Sequence, residues 1–269
     1  MTDFICPVCK SKLFDKEKSY ICKNGHCFDK AKSGYVNLRL NSGTGRHGDD
    51  KLMVRARTEF LNAGYYAPLA EKLKETVSAL CGDGSVIIDA GCGEAYYSAQ
   101  IQQAVHCRLI GIDISKDALI AASKRSKALS LAVASTAAMP VADKSADLVL
   151  NVFSPLFSDE FSRVLKNGGY LIRVVPLEKH LWELKARIYD NPYENDSLTT
   201  ELDGFELIKC DELKYEIDIE DRKLINYLFM MTPYYYKTGE EDQKKLLSGE
   251  KLVTQIEFGI LVYKKKTLP

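Results

Sequence analysis

The sequence carries no excess of charge of either sign: 37 Lys and Arg balance 37 Asp and Glu. A whole-molecule field that attracts polyanions is excluded, so any nucleic-acid affinity must come from a local patch. No apolar run approaches the ~20 residues needed to cross a bilayer, and no spanning helix is expected. The first residues lack the charged-then-apolar build of a signal peptide, since Met1-Thr2-Asp3-Phe4 runs almost directly into Cys6. A disulfide framework is not expected either. The eight cysteines include a C-x2-C pair, which fits a reducing compartment and a metal. Together these features predict a cytoplasmic protein without membrane contact. A hydrophobic fraction of 46% over 269 residues is enough for one large core, with something small attached.

The small part comes first. Cys6, Cys9, Cys22 and His26 form a C-x2-C-x12-C-x3-H string. Zinc takes four soft or borderline ligands in a tetrahedron, and two such knuckles close the site. Four protein ligands leave no open position, so the metal is expected to be structural. His26 is the softest of the four assignments, because the adjacent Cys27 offers another thiol. Phe14 and Ser19-Tyr20-Ile21, between the pairs, suit a hairpin that returns to the metal.

Residues 1–40 are therefore read as a zinc-binding module. The run 41–50, small, polar and Gly-rich, reads as a linker or mobile loop. It opens a segment, 41–83, whose helices lead into the large domain at 84–269. Met53, Ala56, Phe60 and Leu61 lie on one face of the first helix, and Leu69, Leu73, Val77 and Leu80 on one face of the second. Short apolar runs then alternate with helices. Strands are expected at 86–88, 109–112, 131–134, 146–150 and 170–175, with helices at 94–105, 115–128 and 158–165. Continuous apolar strands in a βαβα order mean a parallel sheet covered on both faces. Two longer strands, 205–218 and 251–263, flank a helix around 220–230 and end the sheet antiparallel.

Val86-Ile87-Ile88-Asp89-Ala90-Gly91-Cys92-Gly93-Glu94 ends a strand in D-x-G-x-G. Glycines there permit a sharp turn and a close backbone approach at the switch-point crevice of a doubly wound sheet. Asp113 ends the next strand, where an acid can accept hydrogen bonds from both ribose hydroxyls. A nicotinamide fingerprint would need a third glycine, and Tyr96 stands in its place. Asp89, Gly91, Gly93, Asp113, the Met139–Asp143 segment, Asp147 and the Leu165–Gly169 turn form an ordered series. Over roughly 84–176 it resembles the class I S-adenosylmethionine-dependent methyltransferases. The expected fold class is accordingly α/β: a class I Rossmann-like methyltransferase sheet with a small N-terminal zinc-binding module.

Nearly the whole chain resembles a narrower group, the bacterial 23S rRNA (guanine-N1)-methyltransferases. The resemblance rests on Cys6-Pro7-x-Cys9, Ser19-Tyr20-Ile21-Cys22, His26-x-Phe28-Asp29, Gly34-Tyr35-Val36-Asn37-Leu38, Phe60-Leu61-x-Ala63-Gly64-x-Tyr66, Gly91-Cys92-Gly93-Glu94-x-Tyr96-Tyr97, His180-Leu181-x-Glu183-Leu184-Lys185 and Met231-Thr232-Pro233. It implies a structural zinc held by the four N-terminal ligands. Tyr66, Gly93, Glu94 and His180 are implied to contact S-adenosylmethionine. A 23S rRNA hairpin is implied as substrate, and a homodimer as assembly. Ala95 departs from the glycine common at that position. As a good helix former, Ala95 is expected to be tolerated at the start of the helix.

Other residues are read more plainly. His47 and His106 are incidental, Cys92 is a small residue in a tight turn, and Cys81, Cys107 and Cys210 are packing residues. Seven lysines between Lys10 and Lys32 face only Asp15, Glu17 and Asp29. With Tyr20, Phe28 and Tyr35 they make a platform for phosphates and bases. The competing account is a solvated face on a small module. Tyr234-Tyr235-Tyr236 could stack on bases or fill the core. After the fourth strand, Asn151-Val152-Phe153-Ser154-Pro155 faces the acceptor; Phe153 suits stacking, and Asn151 or Ser154 suits the base edge. No general base is identifiable. Two other functions stay open: a small-molecule methyltransferase, against which the basic module counts, and a non-catalytic zinc RNA-binding protein, against which the intact donor residues count.

Overall fold

A three-stranded antiparallel ribbon begins the chain in the computed structural model, which describes residues 2–40, 48–247 and 249–267. Its strands are β1 (Leu13–Lys16), β2 (Ser19–Cys22) and β3 (Cys27–Asp29), paired in that order. Phe4, Cys6, Leu13 and Cys22 are its buried residues, too few for an independent core. They join a larger cluster with Val36, Leu38, Ile88, Ile110 and Val149, so the module rests on one face of the main sheet.

Next comes β4 (Val36–Asn37), then helices α1 (Lys51–Asn62) and α2 (Ala67–Leu80). Asp50 caps α1 by accepting from the amides of Leu52 and Met53 at 2.9 Å. The expected linker and His47 lie largely outside the described residues. The alternating region gives β5 (Val86–Ala90), α3 (Tyr96–Ala104), β6 (Arg108–Asp113), α4 (Lys116–Arg125), β7 (Ser130–Val133), β8 (Ala146–Val152), α5 (Ser158–Val164) and β9 (Leu165–Pro176). After them come α6 (Trp182–Ile188), β10 (Phe205–Ile219), α7 (Arg222–Met230), α8 (Glu240–Leu247) and β11 (Leu252–Lys265).

The main sheet has eight strands in the order β10-β11-β9-β8-β5-β6-β7-β4. From β4 through β9 all neighbours are parallel, and β11 and β10 close the other edge antiparallel. The strand order reverses at β5, which pairs with both β6 and β8. A crevice therefore opens at the carboxyl ends of those strands.

Val36 and Asn37, within the region read as the zinc-binding module, form an edge strand of the main sheet, with Val36 opposite Ala132 and Asn37 opposite Val133. Two expectations needed revision. The Leu165–Gly169 turn is a bulge within β9, since pairing passes from Ala146↔Leu165 to Leu148↔Tyr170. Cys210 is exposed, because β10 is an edge strand with one face to solvent. The helices α6 and α8 were not anticipated. Seven residues give α6 less than two full amphipathic repeats, and α8 is mostly charged.

Ala95 does not lie in the helix that its propensity would favour. It precedes α3 in the left-handed region, at φ +58°, and is buried. An L-residue there carries roughly 1–2 kcal/mol of steric cost that glycine avoids. Ala95→Gly is therefore expected to raise stability by about 1 kcal/mol, or about 2–4 °C in Tm. Thermal denaturation checks this; a lower Tm would show that the Ala95 methyl group's packing outweighs its backbone strain.

Candidate metal centre and donor cavity

At the metal end, the two knuckles bring four ligand atoms within 4.8 Å of one another. The Lys10 amide bonds the Cys6 carbonyl at 2.8 Å, with Lys10 itself left-handed at φ +58°. In the second knuckle, the Gly25 amide bonds the Cys22 carbonyl at 3.0 Å. The Cys9 and Cys22 sulfurs are 3.7 Å apart, and His26 Nδ1 lies 3.3 Å from Cys22 Sγ and 3.5 Å from Cys6 Sγ. A zinc tetrahedron with Zn–S of about 2.3 Å and Zn–N of about 2.05 Å has edges of roughly 3.8 and 3.6 Å, so the set fits the ion. Cys27 is exposed in β3 and outside the cluster, which leaves His26 as fourth ligand. Hydrogen bonding to Ser11 pulls the Cys9 thiol down to about 5, favouring the thiolate that binds metal.

The crevice at the switch point is a cavity of about 1070 Å³. Tyr66, Asp89, Gly91, Gly93, Glu94, Asp113 and His180 all line it. Gly91 sits at φ +90°, and a Cβ there would lie 2.5 Å from Ser154. Gly93 is also left-handed, at φ +52°, but a Cβ would meet only Arg57 Nη1, at 3.6 Å. The steric need for glycine is thus at Gly91, while Gly93 answers a backbone need.

Asp113 holds the turn. Its carboxylate accepts from the Gly93 amide and from the Ser115 amide, each at 2.8 Å. Each oxygen keeps a further lone pair, so ribose hydroxyls still have acceptors. Burial raises the Asp113 carboxyl above its ordinary range. Glu94 is 2% exposed, with one oxygen paired to Arg125 and the other receiving the Thr58 hydroxyl. Its carboxylate knits α1 and α4 to the turn.

Asp89 is 3% exposed, and its carboxyl receives the Ser98 hydroxyl. Burial pushes its pKa up to about 7, against the lowering effect of that bond. His180 Nδ1 accepts from the Glu257 amide at 3.3 Å, and its ring lies 4.8 Å from Phe258. Burial drops its pKa to about 3, helped by the charge of Lys185. The ring is therefore neutral with the proton on Nε2, a donor available to a carboxylate. Tyr66 is 3% exposed, wedged edge-on against Phe60 and Phe258.

The same cavity is also lined by Phe153, Ser154, Arg173, Tyr193 and Tyr234, grouped as its second arm. Phe153 is strained, at φ +53°, and 45% exposed. Asn151 lies behind the wall, donating to Ser154 Oγ at 2.7 Å and to the Pro155 carbonyl at 3.2 Å. Tyr234 is buried and donates to Asn195 at 2.9 Å, Tyr235 packs on Phe229, and only Tyr236 is open to solvent. The tyrosine cluster is therefore mainly packing. Met139–Asp143 and Asp147 stay off the cavity: Arg163 holds the Met139 and Val141 carbonyls, and Asp147 accepts the Val86 amide at 2.9 Å. Arg173 was missed in the sequence; an arginine in a strand carries no signal of what it faces.

Residues 4–39 match the family model described as "RlmA, N-terminal", and residues 88–173 match a methyltransferase domain. A Bacillus subtilis (strain 168) protein, provisionally named a 23S rRNA (guanine-N(1)-)-methyltransferase, is 32% identical over 96% of both chains. The 23S rRNA (guanine(748)-N(1))-methyltransferase of Streptomyces fradiae is 37% identical over 66% of this chain and 65% of its own. The chain belongs to the 23S rRNA (guanine-N1)-methyltransferase family. Among solved structures, the YcgJ protein of Bacillus subtilis shares the fold, with TM-score 0.51, 14% identity and coverage of 74% of this chain and 98% of its own. A geranyl diphosphate methyltransferase in complex with SAM does too, at TM-score 0.50 and 15% identity, over 82% and 93%. The family uses S-adenosylmethionine and a structural zinc, for which both sites are suited.

Two outcomes test these sites. Gently purified protein should hold one zinc per chain, and Cys9→Ser should lose it and unfold the ribbon, since zinc-finger peptides draw roughly 10–16 kcal/mol from the ion. Less than a third of an equivalent by metal analysis would contradict this. Asp89 binds its proton more tightly folded than unfolded, where it titrates near 3.8. Its contribution to stability is full below about pH 4 and is lost as pH rises through about 7. Asp89→Asn should accordingly flatten the decline in donor-free stability over that window, measured by urea denaturation at several pH values.

Proposed function

We propose that this protein transfers a methyl group from S-adenosylmethionine to N1 of an unpaired guanine in a 23S rRNA hairpin loop, acting in the cytoplasm. The observation that carries the reading is the size of the cavity and the residues that line it. Small-molecule pockets typically occupy about 300–1,000 Å³. This one, about 1070 Å³, joins the donor turn to a second arm bordered by an exposed aromatic ring. That is room for a donor and a base together. Among the described residues no helix is long and apolar enough to cross a membrane.

The geometry supports a role for each donor-side residue. Asp113 would accept the ribose hydroxyls, Asp89 would face the donor's ammonium group, and His180 Nε2–H its carboxylate. S-adenosylmethionine supplies a methyl group made electrophilic by its sulfonium. The residues around it position the acceptor and exclude water. Guanine N1 is hidden in a base pair, so the base must be unpaired or flipped into the second arm. Phe153, held out by a strained backbone, offers the stacking surface.

Residues 1–40 would serve as the RNA reader. Lys10, Lys12, Lys16, Lys18, Lys23 and Lys32 are exposed and form no ion pair among the described residues, whereas Lys30 pairs with Asp15. Unpaired lysines on a rigid ribbon suit a backbone read by shape. Replacing Lys10, Lys12, Lys16 and Lys18 together with Gln should weaken rRNA binding and reduce its salt slope by about 3–4, with S-adenosylmethionine affinity unchanged. Tritiated methyl transfer and primer-extension stops on 23S rRNA check both site and rate. Label entering small molecules and not rRNA would refute the proposed substrate. Unchanged rRNA kinetics across a salt series would remove the ribbon as reader.

A further inference from the structure

Asn151 Oδ1 and Arg173 Nε, two buried polar atoms without partners among the described residues, leave one face of the sheet beside the cavity. The Tyr263 hydroxyl lies next to the guanidinium. Asn151 on β8 stands directly opposite Arg173 on the parallel β9, so both side chains leave the same face. Tyr263 on β11 is paired with Leu171, two residues from Arg173 on that face. Asn151 and Tyr263 are each 1% exposed. Unpaired polar atoms at that depth are uncommon in folded proteins, and each one calls for an explanation.

The cavity's charges single out Arg173. Acids dominate the walls: Asp49, Asp89, Glu94, Asp113, Glu194 and Asp196. Its basic residues are Arg57, Arg173 and Lys237. Arg57 is paired with Asp49, and Lys237 is exposed at the rim. Arg173 is half-buried and makes no ion pair among the described residues. Its guanidinium lies beside the Tyr263 hydroxyl and, by its charge and a side-chain hydrogen bond, works against the raising effect of burial on that phenol. Asn151 has both a fixed and a free side: its NH2 anchors Ser154 and Pro155 and leaves its oxygen without a partner.

We propose that Arg173 is a catalytic residue of the acceptor arm: its guanidinium binds O6 of the target guanine and stabilises the anion formed when N1 loses its proton. This rests on the guanine-N1 reading above. Neutral guanine keeps a proton on N1, and the lone pair needed for attack is absent until it leaves. In the anion, negative charge is shared between N1 and O6. A fixed, water-poor cation at O6 favours that form more than bulk solvent would. The N1 proton passes to water. The N1–CH3 bond forms as the C–S bond breaks, the electron pair of that bond stays on sulfur, and S-adenosylhomocysteine leaves as a neutral thioether. Anion and sulfonium thus cancel, and no further reactant is required. No carboxylate or histidine is needed as base in the arm, in keeping with the 151–155 loop, which has no ionisable side chain. The titratable groups around the guanidinium are Tyr263 from β11, and Glu194 and Asp196 from the segment across the arm.

The test uses the full-length zinc-loaded protein and a 23S rRNA transcript, with single-turnover rates measured from neutral to alkaline pH. Arg173→Met should slow transfer about a hundredfold or more at neutral pH. The deficit should shrink as pH rises, because hydroxide then supplies the N1 anion. Affinity for S-adenosylmethionine, RNA affinity and its salt slope should stay within twofold. Arg173→Lys keeps the charge without the fork and should fall between; it carries the test if the Met variant does not fold. A deficit equal at every pH would overturn the proposal. So would a loss confined to RNA affinity with a shallower salt slope, since Arg173 would then be a phosphate clamp. If wild-type protein methylates guanine N1 and both variants match it, this inference alone fails. If wild-type protein leaves guanine N1 unmethylated in rRNA, the functional reading fails with it.

Discussion

A Cβ on Gly91 would lie 2.5 Å from both Cβ and Oγ of Ser154. Two loops meet there, one after β5 and one after β8, on either side of the switch point. Ser154 Oγ donates to the Ala90 carbonyl and receives the Asn151 amide, so the contact is hydrogen-bonded as well as tight. Much of the site follows from this clamp. On the donor side the chain turns through Gly93, whose amide finds Asp113, and Asp113 in turn reaches Ser115 at the cap of α4. On the other side Asn151 is fixed by the same serine and stands opposite Arg173 of β9. One close approach of the Gly91 backbone to the Ser154 side chain thereby ties the donor turn to the 151–155 loop.

The donor half gathers carboxylates in a place where charge is expensive to bury. Glu94 meets that cost with Arg125 and Thr58, and Asp113 with two backbone amides. Asp89 has a single hydroxyl from Ser98 and the negative charge of Asp113 nearby, and its carboxyl rises to about 7. The group with least internal support is the one that the proposed reading sets against a cationic ligand. Burial there is a reserve: an ammonium group arriving beside Asp89 would find an acid ready to ionise.

Much of the fold was legible because its signals are local. Buried parallel strands read as apolar runs, and β5 through β9 begin and end within a few residues of where composition places them. The metal set was legible because ligand spacing is itself a local property of a knuckle. Tyr66 and His180, far apart in sequence, came from resemblance alone; a lone histidine carries no mark of its surroundings. What the sequence concealed depends on neighbours. β4 is two residues long and is a strand only because β7 lies beside it. Ala95 looks like a helix former and occupies a glycine conformation because the turn demands it. Arg173 looks like one more surface cation until its strand is placed next to Asn151.

The tether of β4 also bears on how an RNA is presented. Beyond the Val36 and Asn37 pairing, the Ile5 amide bonds the Pro140 carbonyl at 2.9 Å, and Asp3 reaches Arg108 and Ser130. The zinc ribbon is therefore fixed to the sheet by backbone and side-chain bonds on several elements. Its strand partner β7 leads at its carboxyl end into Ala134, Ser135 and Thr136, which line the cavity. The zinc ribbon's edge strand and the cavity wall are separated by a single strand. A flexible linker would let a bound hairpin sample many orientations, and the entropy of choosing one would fall on the chemical step. With the ribbon built into the sheet edge, most of that ordering is complete when the protein folds. On the proposed reading, a phosphate contact made by Lys16 on β1 or by Lys18 in the turn after it would set where along the RNA a base can reach the cavity, so that binding register and choice of guanine would become one geometric constraint.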